Sequence, residues 1–269
     1  MIALLGATGT IGRHVAAGLR ERGVAARALR RPAADLRDPA SLRAGMDGAT
    51  TLFLLTPHDA DQAVLEANAL AAAVAAGVER VVKISGGAPS LGPNGPTATA
   101  AAHFASEQAI EASGLSYTFL RCSFMMQNLP GIVARRGGLL PAPFGRAPIA
   151  MVDAHDVGAC AVAALLSDDA AGLDGTAWHL TGPRGVTFGD VAAALGARYV
   201  PVPARLAAAG MRRRGASAGE IDHALRMAAY FASGADGAPT DAVAHLRGAP
   251  PRTVEAFLAE TFPPHPKGR

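Results

Sequence analysis

Glycines at positions 6, 9 and 12 give the chain the spacing Gly6-x-x-Gly9-x-x-Gly12, set between an apolar run, Met1 to Leu5, and a helical pattern carrying Val15 and Leu19. That spacing suits one kind of chemistry, the holding of a pyrophosphate by backbone groups. Gly6 permits a tight strand-to-helix turn, Gly9 lets the main chain approach the ligand, and Gly12 allows the helix to pack closely on the strand. The unpaired N–H groups and the positive dipole end of the helix then face the anion, so no basic side chain is required. Thr8, Thr10 and Ile11 complete the candidate cradle. A glycine turn that serves packing alone is the other reading. The preceding strand, the apolar stripe and Gly23, which closes the helix before a second strand, favour a bound dinucleotide.

Sites that prefer NAD place an acidic residue at the end of the second strand, about 20 residues after the glycine motif, to accept hydrogen bonds from the ribose hydroxyls. Here that place holds Arg30 and Arg31. Guanidiniums pair with a 2′-phosphate, so the expected cofactor is NADPH (NADP) rather than NADH. A pair of solvated arginines ahead of Pro32 is the alternative. Asp35 and Leu36, shortly afterwards, are placed to flank the adenine.

These residues need a scaffold that gathers strand ends. Strand-like runs at Met1–Leu5, Val24–Leu29, Thr51–Leu55, Arg80–Ser85, Ser116–Arg121 and Ala177–Thr181 alternate with helical patterns. The helices are expected at Ile11–Arg22, Ser41–Met46, Asp59–Ala76, Thr99–Ser113 and Ala154–Leu166, with Asp153 capping the last. Such alternation predicts an α/β fold, a Rossmann-type doubly wound parallel sheet with helices on both faces. Ligands in these sheets bind beyond the C-terminal ends of the strands. Thr56, Pro57, Ser85, Gly86 and Phe124 are therefore further candidate cofactor contacts. After Pro183 the pattern loosens, and the clearest helices are Thr187–Leu195, Gly219–Ala232 and Thr253–Phe262. The expected division is a dinucleotide-binding domain over residues 1–183 and a small C-terminal helical lobe over 184–269 that closes over the substrate end. The insert at 129–150, rich in Gly, Pro and Arg, is expected to join the lobe. Pro89 to Thr97 reads as a mobile lid or a plain surface loop.

Half of the 269 residues are hydrophobic, enough for a sizeable core. Cys122 and Cys160 stand far apart, with no Cys-x-x-Cys or Cys/His cluster. Neither a metal site nor a disulfide framework is expected, and a cytoplasmic setting fits. Met1–Leu5 lacks a basic leader and a cleavage site, so it reads as a strand rather than a signal peptide. The Ala-rich stretch 63–78 contains Glu66 and Asn68 and is too short to span a bilayer, so it reads as a buried helix and no membrane association is expected. The net charge is +3, and the single basic cluster, Arg212-Arg213-Arg214, lacks interleaved aromatics. Nucleic acid is not an expected partner. That cluster reads as a solvated turn, with a grip on an anionic substrate as the alternative. The expected partner is a small-molecule substrate, and a homodimer is compatible with the sequence.

Gly6-Ala-Thr-Gly9-x-x-Gly12, Leu54-Leu55-Thr56-Pro57 and Val81-Val82-Lys83-Ile84-Ser85-Gly86-Gly87-Ala88 together resemble the NmrA-like, NAD(P)H-binding group of atypical short-chain dehydrogenase/reductases. His103-x-x-x-Glu107, the run Ser113 to Arg121 and Phe124-Met125-Met126-Gln127-Asn128 are similar to its quinone-oxidoreductase branch, as are Asp153 to Gly158 and Leu180 to Pro183. The resemblance covers about two thirds of the chain and implies a Rossmann domain, a preference for NADPH, and either reduction of quinones and related carbonyls or a redox-sensing role.

Typical short-chain dehydrogenases use a Tyr-x-x-x-Lys pair, in which the lysine lowers the tyrosine pKa. This chain has none: Tyr117, Tyr199 and Tyr230 are followed four places on by Arg121, Pro203 and Gly234, and the two lysines are Lys83 and Lys267. The candidate substitute is His103, on the helix where the family's substrate-facing residues fall, since an imidazole titrates near neutral pH. Glu107, four residues on, shares its helix face and is placed to orient it or raise its pKa. A surface His/Glu pair or a packing histidine is the alternative. Ser85 is the second catalytic candidate, to hydrogen-bond a carbonyl, with turn chemistry as its alternative. Gly87, Glu107, Met125, Gln127 and Asn128 are expected to line the substrate pocket, although core packing accounts equally well for Met125 and Met126. His58 either touches the cofactor or caps the next helix, and His155 and Asp156 read as capping groups. The expectation is an NADPH-dependent oxidoreductase transferring hydride to a quinone, enone or carbonyl substrate. A non-catalytic NADP(H)-binding redox sensor and a biosynthetic isomerase or cyclase on the same scaffold stay open.

Overall fold

The computed structural model describes residues 1–58, 61–133, 138–168 and 172–263. Its contacts divide the chain into two units: Met1–Cys122, Ala154–Leu180 and Ala242–Ala249 form the first, and Ser123–Asp153, Thr181–Asp241 and Pro250–Arg269 the second.

In the first unit β1 (Ile2–Leu5), β2 (Ala26–Leu29), β3 (Thr51–Leu54), β4 (Arg80–Gly86), β5 (Ser116–Cys122) and β7 (Thr176–Leu180) form one parallel sheet in the order β2-β1-β3-β4-β5-β7. The strand order reverses between β1 and β3, the place where doubly wound sheets open a crevice for ligands. Side chains alternate across the strands. Ala3, Leu5, Leu52, Leu54, Val81 and Phe119 join a core with α2 (Pro39–Gly45), α3 (Gln62–Ala75) and α4 (Ala98–Ala112). Continuing that period puts Thr56, Lys83, Ser85 and Arg121 on the same face, beyond the apolar residues and toward the C-terminal strand ends.

Local chemistry sets where these helices start. Asp38 accepts from the Ala40 N–H to cap α2, and Thr97 accepts from Ala100 to cap α4. The helix expected from Asp59 begins at Gln62, and Asp59 itself lies outside the described residues. α1 (Gly12–Glu21) and α6 (Ala154–Leu166) pack through glycines: a Cβ at Gly158 would stand 2.5 Å from the His14 Cβ. α10 (Ala242–Arg247) returns to this unit beside α6.

The second unit holds α5 (Leu129–Ile132), α7 (Phe188–Ala194), α8 (Ala204–Arg213), α9 (Ala218–Ala232) and α11 (Val254–Thr261). It also contains a parallel strand pair, β6 (Leu139–Ala142) with β8 (Arg198–Pro201), so it is not purely helical as expected. Both strands are four residues long and contain a proline, which hides them from a periodicity reading. The core here is aromatic: the Phe124 ring meets Phe144, Phe188 and Phe231 edge-on, and Phe144 stacks on Phe188. Arg212 and Arg213 end α8, with Arg214 as its cap, all exposed. No helix among the described residues is long and apolar enough to cross a membrane.

Candidate active site

The glycine turn is built as its spacing requires. Gly6 takes φ +75°, where L side chains are strained, and a Cβ there would stand 2.5 Å from the Leu55 carbonyl oxygen. A Cβ at Gly12 would overlap the Gly6 carbonyl. The Gly9 N–H donates to that same carbonyl at 3.0 Å, winding the chain into α1. Thr8, Gly9 and Thr10 are exposed, while Ile11 and Gly12 are buried. Beside the turn lies a cleft of about 340 Å³ bordered by Gly6, Thr8, Arg30, Arg31, Asp35 and Leu36, and also by Leu55 and Pro57. Both guanidiniums are exposed, and neither enters an ion pair among the described residues. The loop below them holds its own shape. Asp35 accepts the Arg37 N–H at 2.9 Å, its own N–H donates to Ser41 at 3.0 Å, and Asn68 donates to the Leu36 carbonyl at 3.0 Å.

A second polar group lies buried beneath the ends of β3 and β4. Lys83 is fully buried and Glu66 is 1% exposed, and they pair at 2.8 Å. Thr56 and Gln62 donate to the other Glu66 oxygen at 2.6 and 3.2 Å. His103, on α4, lies 3.3 Å from Lys83 Nζ through its Nδ1. Burial, then the Lys83 charge, depresses the His103 pKa from 6.5 to about 3, against the weaker opposing pull of Glu66. Its imidazole is therefore uncharged at neutral pH. Burial acts to raise the Glu66 pKa, but the Lys83 ammonium prevails and holds it below the usual range. Ser85, next along this face, is buried, and its Oγ has no hydrogen-bond partner among the described residues.

The other expected site residues take varied places. Glu107 is committed to Arg121 on β5, at 2.6 and 3.2 Å, rather than to His103 four residues earlier, and His103 is shifted down rather than up. The reason is sheet geometry: Arg121 stands on the same face one strand over and offers a full charge. Gly86 backs onto the His103 ring, where a Cβ would stand 3.3 Å from its Cδ2, and the Gly87 carbonyl accepts from Ser90 at 2.7 Å. The His58 ring meets His103 edge-on at 6.1 Å. In the second unit, Phe124 belongs to the aromatic core, Met126 is buried, Met125 half-buried and Asn128 exposed. Gln127 donates to Asp153 at 2.9 Å.

Residues 1–194 match the model of the NmrA-like family. The chain belongs to the NmrA-like family. An NAD(P)H azoreductase of Xenophilus azovorans is 31% identical over 96% of each chain. A (4-alkanoyl-5-oxo-2,5-dihydrofuran-3-yl)methyl phosphate reductase of Streptomyces griseus is 35% identical over 72% of each. The crystal structure of an NADPH-dependent quinone oxidoreductase of Escherichia coli, complexed with NADPH, superposes with a TM-score of 0.83 over 97% of this chain and 100% of that one. At 24% identity, that likeness establishes the shared Rossmann-like fold.

Within this NmrA-like fold the sequence reading missed Gln62, Glu66 and Lys83. A signal was present. Lys83 interrupts Val81-Val82-Lys83-Ile84, a run apolar on both faces, and Gln62 and Glu66 extend by helical steps the stripe of Ala69 and Ala73. A charge inside a strand buried on both sides implies a buried partner.

Proposed function

We propose that the chain is an NADPH-dependent oxidoreductase acting on an electron-poor conjugated acceptor such as a quinone, an enone or a carbonyl compound. The observation that carries this reading is the single cleft bordered both by the glycine turn and by the exposed pair Arg30–Arg31. Two features support a dinucleotide there: the turn has no room for side chains at Gly6 and Gly12, and the two exposed cations enter no ion pair among the described residues. Gly6, Thr8, Gly9, Thr10, Ile11 and Gly12 would hold the pyrophosphate, Arg30 and Arg31 the 2′-phosphate, and Asp35 and Leu36 the adenine side. Thr56, Pro57, Ser85 and Gly86 follow along the strand ends. A bound nicotinamide supplies the hydride, and that chemistry belongs to the cofactor.

The protein's own part is to hold the acceptor and to meet the charge that develops on it. No tyrosine is followed four places on by lysine, so that task falls to His103 and to the Ser85 hydroxyl. The relatives named above reduce an azo compound, an unsaturated lactone and a quinone, which supports an acceptor with a polarised multiple bond. The test is NADPH consumption by the purified protein with quinones, enones, azo compounds and aldehydes, with NADH in parallel. Acceptor-dependent oxidation that favours NADPH is the expected result. Saturable NADPH binding with no oxidation on any acceptor would move the assignment to a redox sensor.

A further inference from the structure

The ammonium of Lys83 has three protons to donate and no lone pair. Three acceptors surround it: Glu66 Oε2 at 2.8 Å, the Ile84 carbonyl at 3.2 Å and His103 Nδ1 at 3.3 Å. A ring nitrogen facing an ammonium at that distance can only accept, so Nδ1 carries its lone pair and the ring proton sits on Nε2. Gln62 Nε2, itself a donor, is 3.3 Å from both ring nitrogens; equal distances put it over the ring face, off both in-plane nitrogen directions. No acceptor reaches Nε2 among the described residues, so that N–H is unclaimed. The charged and titratable groups facing the ring are Lys83 from β4, Glu66 from α3 and His58 from the segment after β3. Glu107, on the ring's own helix, is held by Arg121. Glu66 is the one anion facing the ring, and Lys83 neutralises it. A second proton on His103 would set two cations side by side in a dry interior.

We propose that the Glu66–Lys83 pair fixes His103 as an uncharged imidazole with its proton on Nε2, and that this N–H is the hydrogen-bond donor for negative charge developing on the acceptor. Glu66 and Lys83 are positioning residues that act through His103. The donor role rests on the oxidoreductase reading, whereas the tautomer does not. A donor already oriented needs no reorganisation during the reaction. The proton that completes the reduction comes from water, because a neutral imidazole keeps its N–H near neutral pH.

Long-range proton–nitrogen NMR of the ¹⁵N-labelled full chain reports which ring nitrogen bears the proton, with the His103 signals assigned by their loss in His103→Gln. The expected result is an Nε2–H ring, unchanged from pH 8 to pH 5. In Lys83→Met the Glu66 carboxylate faces the ring alone. His103 should then take up a second proton near neutrality, and turnover should gain a pH limb absent from the parent. Glu66→Gln/Lys83→Met, which leaves no unpaired charge, should keep His103 uncharged but let both tautomers appear, and this variant serves if the single one does not fold. An imidazolium above pH 5, an Nδ1–H ring, or variant spectra like the parent's overturn the fixed tautomer. The expected tautomer with unchanged turnover in His103→Phe, which has no donor at that place, overturns the donor role. The expected tautomer with no NADPH oxidation by the parent overturns the oxidoreductase reading and the donor role with it.

Discussion

Arg30–Arg31 and the Glu66–Lys83 pair beside His103 are two sets of charge in one unit, and they obey opposite rules. The arginines are exposed and unpaired among the described residues, so water solvates them and a ligand can recruit them. The inner charges have almost no contact with solvent and answer only to one another. On the proposed assignment, removing an outer charge should leave the fold alone and weaken binding. Removing an inner one strands its partner in a medium that cannot solvate it. Charge open to solvent is what the proposed function assigns to a ligand, and charge shut away from it is what the proposed tautomer assigns to a neighbouring group.

The sharpest way to break that contrast is Lys83→Met. It leaves Glu66 buried without its cation and should cost about 3–5 kcal/mol of stability, measured by urea unfolding. Glu66→Gln/Lys83→Met should recover most of the loss, because no charge is stranded. Equal stability of single and double variants would mean that the pair is not isolated from solvent. The outer charges predict the reverse pattern. Arg30→Ala/Arg31→Ala should keep the parent's unfolding midpoint and weaken NADPH binding by about 1.5–3 kcal/mol, roughly 10- to 150-fold, the scale of a hydrogen bond to a charged group. NADH affinity should not change, and added salt should shrink the NADPH effect because the site is open to solvent. Equal losses for both nucleotides would remove the 2′-phosphate from the assignment.

The same contrast marks what could be read from the sequence. The glycine turn is local, seven residues from Gly6 to Gly12 carrying its geometry, and the arginines follow at the end of the next strand, so both were legible. The six strands and α6 were legible as well, because strand-like runs alternate regularly with helical patterns along this part of the chain. The cluster was not, since Thr56, Glu66, Lys83 and His103 come from four separate segments, β4, α3, α4 and the stretch after β3, that only the tertiary fold brings together. Helical spacing singles out His103 but pairs it with the wrong neighbour. Glu107 shares its helix face, yet Arg121 on the adjoining strand claims that carboxylate. The short strands β6 and β8 were hidden by their prolines.

Gly12→Ala tests the cleft from the backbone side. A Cβ at this position overlaps the Gly6 carbonyl, so the turn must shift, at a strain on the order of 1–3 kcal/mol. NADPH and NADH affinities should fall together, roughly tenfold for each 1.4 kcal/mol, which separates loss of the pyrophosphate cradle from loss of the 2′-phosphate contact. Isothermal titration with both nucleotides reads the difference. Selective loss of NADPH alone would place the turn on the wrong part of the ligand.

The smallest effect is the pH dependence that the inner cluster imposes. The His103 pKa is depressed from 6.5 to about 3 on folding. Between those values the unfolded chain holds a proton that the native chain does not, so stability rises with pH across that window and falls on acidification. One proton contributes at most about 1.4 kcal/mol per pH unit. Glu66, also depressed, loses stability in the same direction, but only below its ordinary value of 4.5. The parent should therefore begin to weaken near pH 6.5, and His103→Gln only near pH 4.5. Urea midpoints at pH 7.0, 5.5 and 4.5 separate the two, with the parent falling between the first two values while the variant holds level. Parallel decline of both proteins would assign the acid sensitivity to another group and leave His103 free to charge, the state that the Lys83 ammonium is placed to prevent.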